Sequence, residues 1–204
     1  QMLIDRKHDR ADITLVFDTG PQFYFGQVRF DPTRISPKLL ARYIPFHYGH
    51  PYSTDDVLAL ESNLSASGYF KSVVIKPDIN GKQYVPMEVH LQEVSRTNYS
   101  LGVGYGTDTG PRGRAQLSVI PVNRAGHKFN AIAQGSMNQN TLLAQYLIPG
   151  RNPITDNYSI TGSVSNFDYS SGHANSGLLT FAQQHIKKNY YYLTLVPSSN
   201  SFNF

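Results

Sequence analysis

The sequence predicts a small α+β domain with the order strand–helix–helix–strand–strand, followed by antiparallel transmembrane strands of a partial β-barrel. The distribution of charge is the first reason. Of the 18 Lys and Arg and 14 Asp and Glu residues, only 11 lie after residue 95. They are separated by charge-free stretches of about 9–11 residues, the length of a tilted spanning strand: Thr97–Thr107, Ala115–Asn123 and Asn157–Phe167. Spanning strands lack charges because a charge facing lipid near the midplane costs about 2–4 kcal/mol.

Alternation along these stretches is the second reason. The first stretch, predicted to be the opening strand, has an apolar face and a face without side chains: Tyr99, Leu101, Val103 and Tyr105 against Gly102, Gly104 and Gly106. Later stretches alternate apolar residues with Ser, Thr, Asn and Gln, as expected for a wet interior. We count six strands and the start of a seventh in residues 96–204, too few to close a single-chain bacterial barrel. A soluble β-sandwich is the alternative, although its outward face ordinarily keeps charges.

The α+β domain is predicted to cover residues 21–95. Its first strand covers Phe23–Phe30, with a bulge expected at Gly26. Ser36-Pro37 is the expected start of a short helix, because Ser caps well and Pro suits the first helical position. A second helix is expected from Ser53, in a capping-box-like signal, to Gly68.

The last two strands of this domain are predicted at Ser72–Lys76 and Val85–Leu91, across an Asn80-Gly81 turn. Since Pro86 has no N–H to donate, we expect its position to lie outside a central ladder. The apolar spacing predicts a core that includes Leu60, Leu64, Val89 and Leu91.

Residues 1–20 are predicted to be the C-terminal hairpin of a preceding domain. Ala11–Gly20 alternates and breaks at Gly20-Pro21, and Met2-Leu3-Ile4 supplies the partner strand. Both ends of the chain have strand-like composition without a signal peptide, so we expect a fragment of a longer protein.

Composition excludes several function classes. The net charge is +4, and the basic residues are spread over turns, so no nucleic-acid binding is expected. The absence of cysteine excludes disulfides and thiolate metal sites. Among seven histidines only His47 and His50 are closely spaced, and no further ligands lie near them in sequence. We therefore expect no metal, no cofactor and no catalytic residue.

One motif suggests an enzyme. Asp-Thr-Gly occurs at Asp18–Gly20 and again at Asp108–Gly110, and paired Asp-Thr-Gly turns bring two carboxylates together in aspartic proteases. Both copies here are followed by Pro, and Asp-x-Gly is also ordinary turn chemistry. Our strand count places the two copies on opposite sides of the membrane, which makes the protease a remote alternative.

Five segments carry further motifs: Ala11–Leu15, Asp18–Pro21, Gly68-Tyr69-Phe70 after the second helix, Gly104–Arg112 at the end of the opening strand, and Gly126-His127. Together they resemble a known family, that of outer-membrane assembly factors in which POTRA (polypeptide-transport-associated) domains precede a membrane barrel. Within it, the chain resembles the TamA-like subunits of the translocation and assembly module. In that family the first two segments correspond to a junction between POTRA domains, and the last corresponds to the first periplasmic turn.

The resemblance implies a non-enzymatic protein in the outer membrane, with its POTRA domain in the periplasm. It implies insertion or translocation of autotransporters and other barrel proteins. It also implies an outer loop containing Asp108, Gly110, Pro111 and Arg112. The glycines of the opening strand leave two interpretations open: they form a tight packing surface, or they weaken the pairing so that Tyr99–Gly106 serves as a lateral gate. The implied partners are the lipid bilayer, unfolded outer-membrane client proteins, and a TamB-like periplasmic protein anchored in the inner membrane. A two-partner secretion pore with one dedicated substrate shares the architecture and is the alternative.

Overall fold

The computed structural model describes residues 2–5, 10–13, 21–79, 81, 83–107, 110–169, 172–186, 190–195 and 198–203. Three sheets follow one another along the chain. The first is a hairpin of β1 (Met2–Asp5) and β2 (Arg10–Ile13), which pair antiparallel. Residues 14–20, which include the first Asp-Thr-Gly motif, lie outside the described residues. No described helix is long and apolar enough to cross a membrane.

The second sheet belongs to an α/β unit with the predicted strand–helix–helix–strand–strand order. Its elements are β3 (Tyr24–Phe30), α1 (Pro37–Leu40), a 3-10 turn (Ala41–Tyr43), α2 (Thr54–Ala66), β4 (Phe70–Pro77) and β5 (Tyr84–Glu93). The sheet order is β3-β5-β4. The central strand β5 runs parallel to β3 and antiparallel to β4.

The helix ends follow the local sequence, with one exception. The Ser36 side chain accepts a hydrogen bond from the Leu39 N–H at 3.4 Å, and Pro37 is the first helical residue, as predicted. Gly68 stops α2 with φ +72°, a value that L side chains rarely adopt. Ser53 occupies the N-cap of α2, but its side chain makes no capping hydrogen bond. The helix thus begins where the sequence predicts, but the capping hydrogen bond expected from Ser53 is not formed.

Pro86 lies within the central strand β5, but neither ladder of that strand includes it. The pairing with β3 passes from Val85 to Met87, and the pairing with β4 ends at Met87, so the position lies outside the ladders, as predicted. The pairing of β3 with β5 shifts between Phe25 and Val28, so the bulge predicted at Gly26 is present and lies opposite Pro86. The missing Pro86 N–H therefore falls where the ladder is already interrupted. A Cβ at Gly26 would lie 2.8 Å from the Pro86 nitrogen, so only glycine fits this approach.

The core of the α/β unit lies between the two helices and the three-stranded sheet. Leu60 and Leu64 are completely buried, and Val89 is 1% exposed. Leu91 is only partly buried and packs at the rim of this core. All four core positions named from the sequence thus contact the core, and Leu91 contributes least to it.

The third sheet contains the remaining strands, each antiparallel to its chain neighbour up to β11. They are β6 (Thr97–Gly106), β7 (Gly110–Val119), β8 (Lys128–Ser136), β9 (Gln139–Pro149), β10 (Asp156–Tyr169), β11 (Gly172–Ile186), β12 (Tyr190–Leu195) and β13 (Ser198–Asn203). Both β12 and β13 pair with the same edge of β11 in one continuous register. They thus occupy a single strand position, which gives the six strands and the start of a seventh.

The sheet has one apolar and one polar face, as the alternation predicts. Cross-strand partners share a face, and one face carries aligned apolar pairs such as Tyr146↔Ile160 and Leu142↔Val164. The other face, here called the inner face, carries the polar pairs Ser118–Asn130 and Thr141–Ser165, hydrogen-bonded at 2.7 and 3.1 Å. Apolar residues such as Ile160 and Val164 are exposed, whereas Thr161, Ser163 and Ser165 are half-buried. The polar face is therefore the more enclosed one.

Candidate functional site

The edge of the third sheet at β6 is the first candidate site. All ten residues of β6 pair with β7, from Thr97↔Val119 to Gly106↔Gly110. No other described strand pairs with β6. Within the described residues the second edge of β6 is therefore unpaired, and unpaired backbone N–H and C=O groups of this kind can accept an added strand.

The side chains of β6 differ completely between its two faces. The apolar face is almost fully exposed: Tyr99 78%, Leu101 84%, Val103 97% and Tyr105 75%. The inner face carries Gly102, Gly104 and Gly106, at alternate positions. This strand therefore has an apolar surface suited to lipid and very little side-chain packing that would hold a neighbouring strand.

The turn between β6 and β7 is the predicted outer loop. Gly110 has φ +68°, and a Cβ there would lie 2.6 Å from the Met137 sulfur atom, so the turn requires glycine and lies against the β8–β9 turn. Pro111 and Arg112 follow as residues of β7. Asp108 and Thr109 lie outside the described residues, so the pairing of the two Asp-Thr-Gly motifs is not part of the described structure.

At the opposite end of the sheet, the β7–β8 turn (residues 120–127) contacts the α/β unit. The Ser36 N–H, at the start of α1, donates to the Arg124 carbonyl oxygen at 2.8 Å. The Tyr69 hydroxyl donates to the Gly126 carbonyl oxygen at 2.5 Å. Gly126 has φ +80°, and a Cβ there would lie 2.3 Å from the Leu39 Cδ2 atom. The turn thus fits against the unit without room for a side chain.

Lys128, the first residue of β8, extends this contact. Its Nζ atom donates to the Ser67 carbonyl oxygen at 2.6 Å and lies 4.6 Å from the centroid of the Tyr69 ring. Ser67 is at the C-terminus of α2, where a cation interacts favourably with the free carbonyls. Lys128, a residue of the third sheet, therefore binds the C-terminal end of helix α2 in the α/β unit.

Two buried tyrosines complete the contact from the α/β side. Burial raises the pKa of Tyr43 to about 12. Burial also raises the pKa of Tyr69, and the neighbouring Tyr43 adds to this shift through its charge and its hydrogen bond. Both hydroxyls therefore stay protonated near neutral pH, and Tyr69 keeps the proton that it donates to Gly126. Arg42 makes a second link, from its Nη1 atom to the Gly150 carbonyl oxygen in the β9–β10 turn at 3.3 Å.

The short connection between β5 and β6 is fixed as well. The Arg34 guanidinium forms an ion pair with Glu93 at 2.8 Å and donates to the Val94 carbonyl oxygen at 2.7 Å. The Arg96 guanidinium donates to the Val122 carbonyl oxygen at 3.1 Å. The Ile120 N–H in turn donates to the Arg96 carbonyl oxygen at 2.7 Å. The start of β6 is thus held by both the α/β unit and the β7–β8 turn.

Comparisons with known proteins agree with this two-part architecture. A family model described as "POTRA: Surface antigen variable number repeat" matches residues 23–94. Residues 23–94 form a POTRA domain. The whole chain is similar in structure to BamA from Haemophilus ducreyi lacking POTRA domains 1–3, with a TM-score of 0.75 and 17% identity. CdiB from Acinetobacter baumannii is similar over 89% of the chain, with a TM-score of 0.64 and 16% identity.

These similarities concern the fold. The chain spans 40% of the BamA chain and 39% of the CdiB chain, about two fifths of each. The third sheet therefore resembles part of the BamA barrel, and the predicted fold class, a POTRA domain followed by antiparallel partial-barrel strands, is confirmed.

Sequence reasoning missed the contact between the POTRA domain and the β7–β8 turn. Tyr69 and Gly126 were noted only as parts of separate motifs, and they lie 57 positions apart in the chain. Lys128 lies at a strand start, and only its position next to a turn distinguishes it from other basic residues. The His47 and His50 rings are 5.9 Å apart, and the described residues contain no group of three or more potential ligands that could hold a metal.

Proposed function

We propose that this protein acts at the outer membrane of a Gram-negative bacterium, where it inserts or translocates other outer-membrane proteins. The third sheet crosses the bilayer, and the POTRA domain lies in the periplasm. Incoming clients, among them autotransporters and barrel proteins, pair with the free edge of β6, which serves as a lateral gate. No step of this mechanism requires a catalytic residue or a cofactor.

The exposed edge of β6 is the observation that carries the proposal. An edge strand exposed in water invites aggregation, and soluble proteins protect it with charges or bulges. The described part of β6 has neither, and its apolar side chains are 75–97% exposed. In a bilayer the same strand is covered by lipid on its apolar face, and its unpaired backbone groups require another strand. A client strand supplies those hydrogen bonds by β-augmentation.

The contacts between the POTRA domain and the third sheet support a role for this domain in delivering clients to β6. Tyr69, Lys128 and Arg34 fix this domain next to the start of β6. A client, or a TamB-like partner, bound to the POTRA domain is thereby brought close to the edge that receives the strand. The TamB-like partner and the class of client follow from the family resemblance noted in the sequence.

The second candidate function is a two-partner secretion pore. The polar inner face favours it, because a substrate in transit would contact that face. The two functions differ in their substrates: an insertion factor receives unrelated client strands at β6, whereas a secretion pore carries one dedicated substrate along its lumen.

Photo-crosslinking tests the proposal directly. A photoreactive phenylalanine analogue at Tyr99 of the full-length protein in native membranes is expected to crosslink arrested clients of different sequence. Phe129 is the matched control, because it is aromatic, lies on the same face, and belongs to β8, whose two edges are occupied by β7 and β9. Equal crosslinking from both positions, or none from Tyr99, contradicts a gate at β6. Crosslinks to a single substrate favour the secretion pore.

A further inference from the structure

The inner face of the third sheet has an unbalanced charge. Within the described strands β6–β11, the register places Arg112, Arg114 and Lys128 on this face and no Asp or Glu. Asp156 and Asp168 belong to the other face, where each pairs with a histidine. Since Lys128 is engaged with the POTRA domain, Arg112 and Arg114 are the charges that remain available. A concave surface lined by one sign of charge attracts the opposite sign.

The two arginines differ in what their side chains contact. Arg112 lies opposite Gly104, and its Nε and Cγ atoms are 3.2 and 3.6 Å from the position that a Cβ on Gly104 would occupy. Its side chain therefore lies across β6, in the space left by the glycine. Arg114 lies opposite Gly102, and no atom comes within 4 Å of the corresponding position there. Arg114 instead donates to Gln116 on its own strand at 3.4 Å.

The glycines of β6 thus leave a path from β7 to the free edge of the sheet. A strand added to this edge lies about 5 Å beyond β6 and about 10 Å from the backbone of β7. A side chain at Gly104 would occupy that path. An open cavity of about 420 Å³ on this face is lined by Gly102, Gly104, Arg112, Arg114, Gln134 and Ser136, among others. It provides room for one side chain from an added strand.

We propose that Arg112 reaches across Gly104 and binds a carboxylate on the client strand that pairs with β6. This inference rests on the proposed function and adds a substrate preference to it: clients whose pairing strand carries Asp or Glu on the face toward the lumen. The guanidinium is permanently charged and presents several donors in one plane, which suits a carboxylate. The Arg112 guanidinium has no ion-pair partner among the described residues. A client carboxylate can therefore bind it without breaking an ion pair of the described structure.

Peptide binding to the full-length protein in detergent tests this inference. The probes are labelled synthetic peptides of about ten residues that alternate apolar and polar side chains. One carries a central Glu on its polar face, the second carries Gln at that position, and the third carries the Glu on its apolar face. We expect the first to bind about tenfold more tightly than the second and the third, the gain of one charge-assisted hydrogen bond.

Two variants locate the effect. Arg112→Gln is expected to abolish the preference for Glu over Gln, whereas Arg114→Gln, the same change two residues away on the same face, is expected to retain it. Loss of the preference in both variants would overturn the inference. The preference for Glu would then come from the overall positive charge of the inner face and not from a contact with Arg112. Equal binding of the first two peptides to the native protein would overturn it while leaving the proposed function intact. If the photoreactive analogue at Tyr99 crosslinks no client, strand addition at β6 fails, and this inference fails with it.

Discussion

A disulfide that holds β6 against the strand closing the barrel is expected to abolish client insertion. The change consists of a cysteine at Gly104 and a second at the facing residue of the closing strand in the full-length protein. The bond forms if the two Cα atoms lie within about 7 Å. It removes the free edge without altering the POTRA domain, so the barrel stays folded while clients lose their pairing site. Insertion is measured in reconstituted vesicles, and reductant is expected to restore it.

A second disulfide provides the control. Ala131 and Ala144 face each other across β8 and β9, strands that are already paired on both sides. Cysteines at these positions introduce a disulfide into the barrel without closing an edge of the sheet. Client insertion is expected to continue in this variant. Full activity of the oxidised Gly104 variant would contradict the gate. Loss of activity in both variants would show that oxidation alone damages the protein.

Replacing Gly126 by valine is expected to separate the POTRA domain from the β7–β8 turn. The new Cβ would lie 2.3 Å from Leu39 and 2.8 Å from the Tyr69 hydroxyl oxygen, and φ +80° is strained for a β-branched residue. Overpacking of this kind typically costs about 1–3 kcal/mol. The Ser36 N–H reports on the contact, because it donates to Arg124 within the turn. We expect its hydrogen exchange to accelerate by about tenfold.

Gly113→Val is the matched control for this change. Gly113 also belongs to the third sheet, but no atom lies within 4 Å of its Cβ position, and valine suits a strand. Exchange at Ser36 should stay at its native rate in this variant. An unchanged rate in Gly126→Val would mean that the turn does not hold the domain, and the role assigned to Tyr69 and Lys128 would then be wrong.

The elements that were predicted correctly depend on local signals. Ser36-Pro37 and Gly68 mark helix ends through their own backbone preferences, and the alternation from Tyr99 to Gly106 fixes both faces of β6. Pro86 shows where a local rule stops: its missing N–H predicts a position outside the ladder, but not what interrupts the ladder. Its tolerance in a central strand depends on a bulge at Gly26, a residue 60 positions earlier whose role as its partner is visible only in the fold.

Of the candidate site, only the edge at β6 could be predicted from the sequence; the contacts of the POTRA domain could not. Exposure of the β6 edge follows from its position at the start of the sheet, which the strand count already implied. Contacts of the POTRA domain with the turns join residues 57 to 108 positions apart, from Tyr69 with Gly126 to Arg42 with Gly150. No single-residue preference encodes such a pair. Arg112 was named as part of a loop, and its position across Gly104 required the strand register.

Accessibility of the two turns in intact cells tests the central claim, that the third sheet crosses the outer membrane with the POTRA domain inside. Single cysteines are placed in the full-length protein at Thr109, which directly precedes β7 in the sequence, and at Ala125, in the turn that follows β7. Residues 1–204 contain no cysteine, and any cysteine elsewhere in the full-length protein is replaced by serine, so that each variant carries one reactive thiol. A membrane-impermeant maleimide should label position 109 on intact cells, and position 125 only after the outer membrane is opened. Labelling of position 125 on intact cells, or equal labelling of both, would contradict the account.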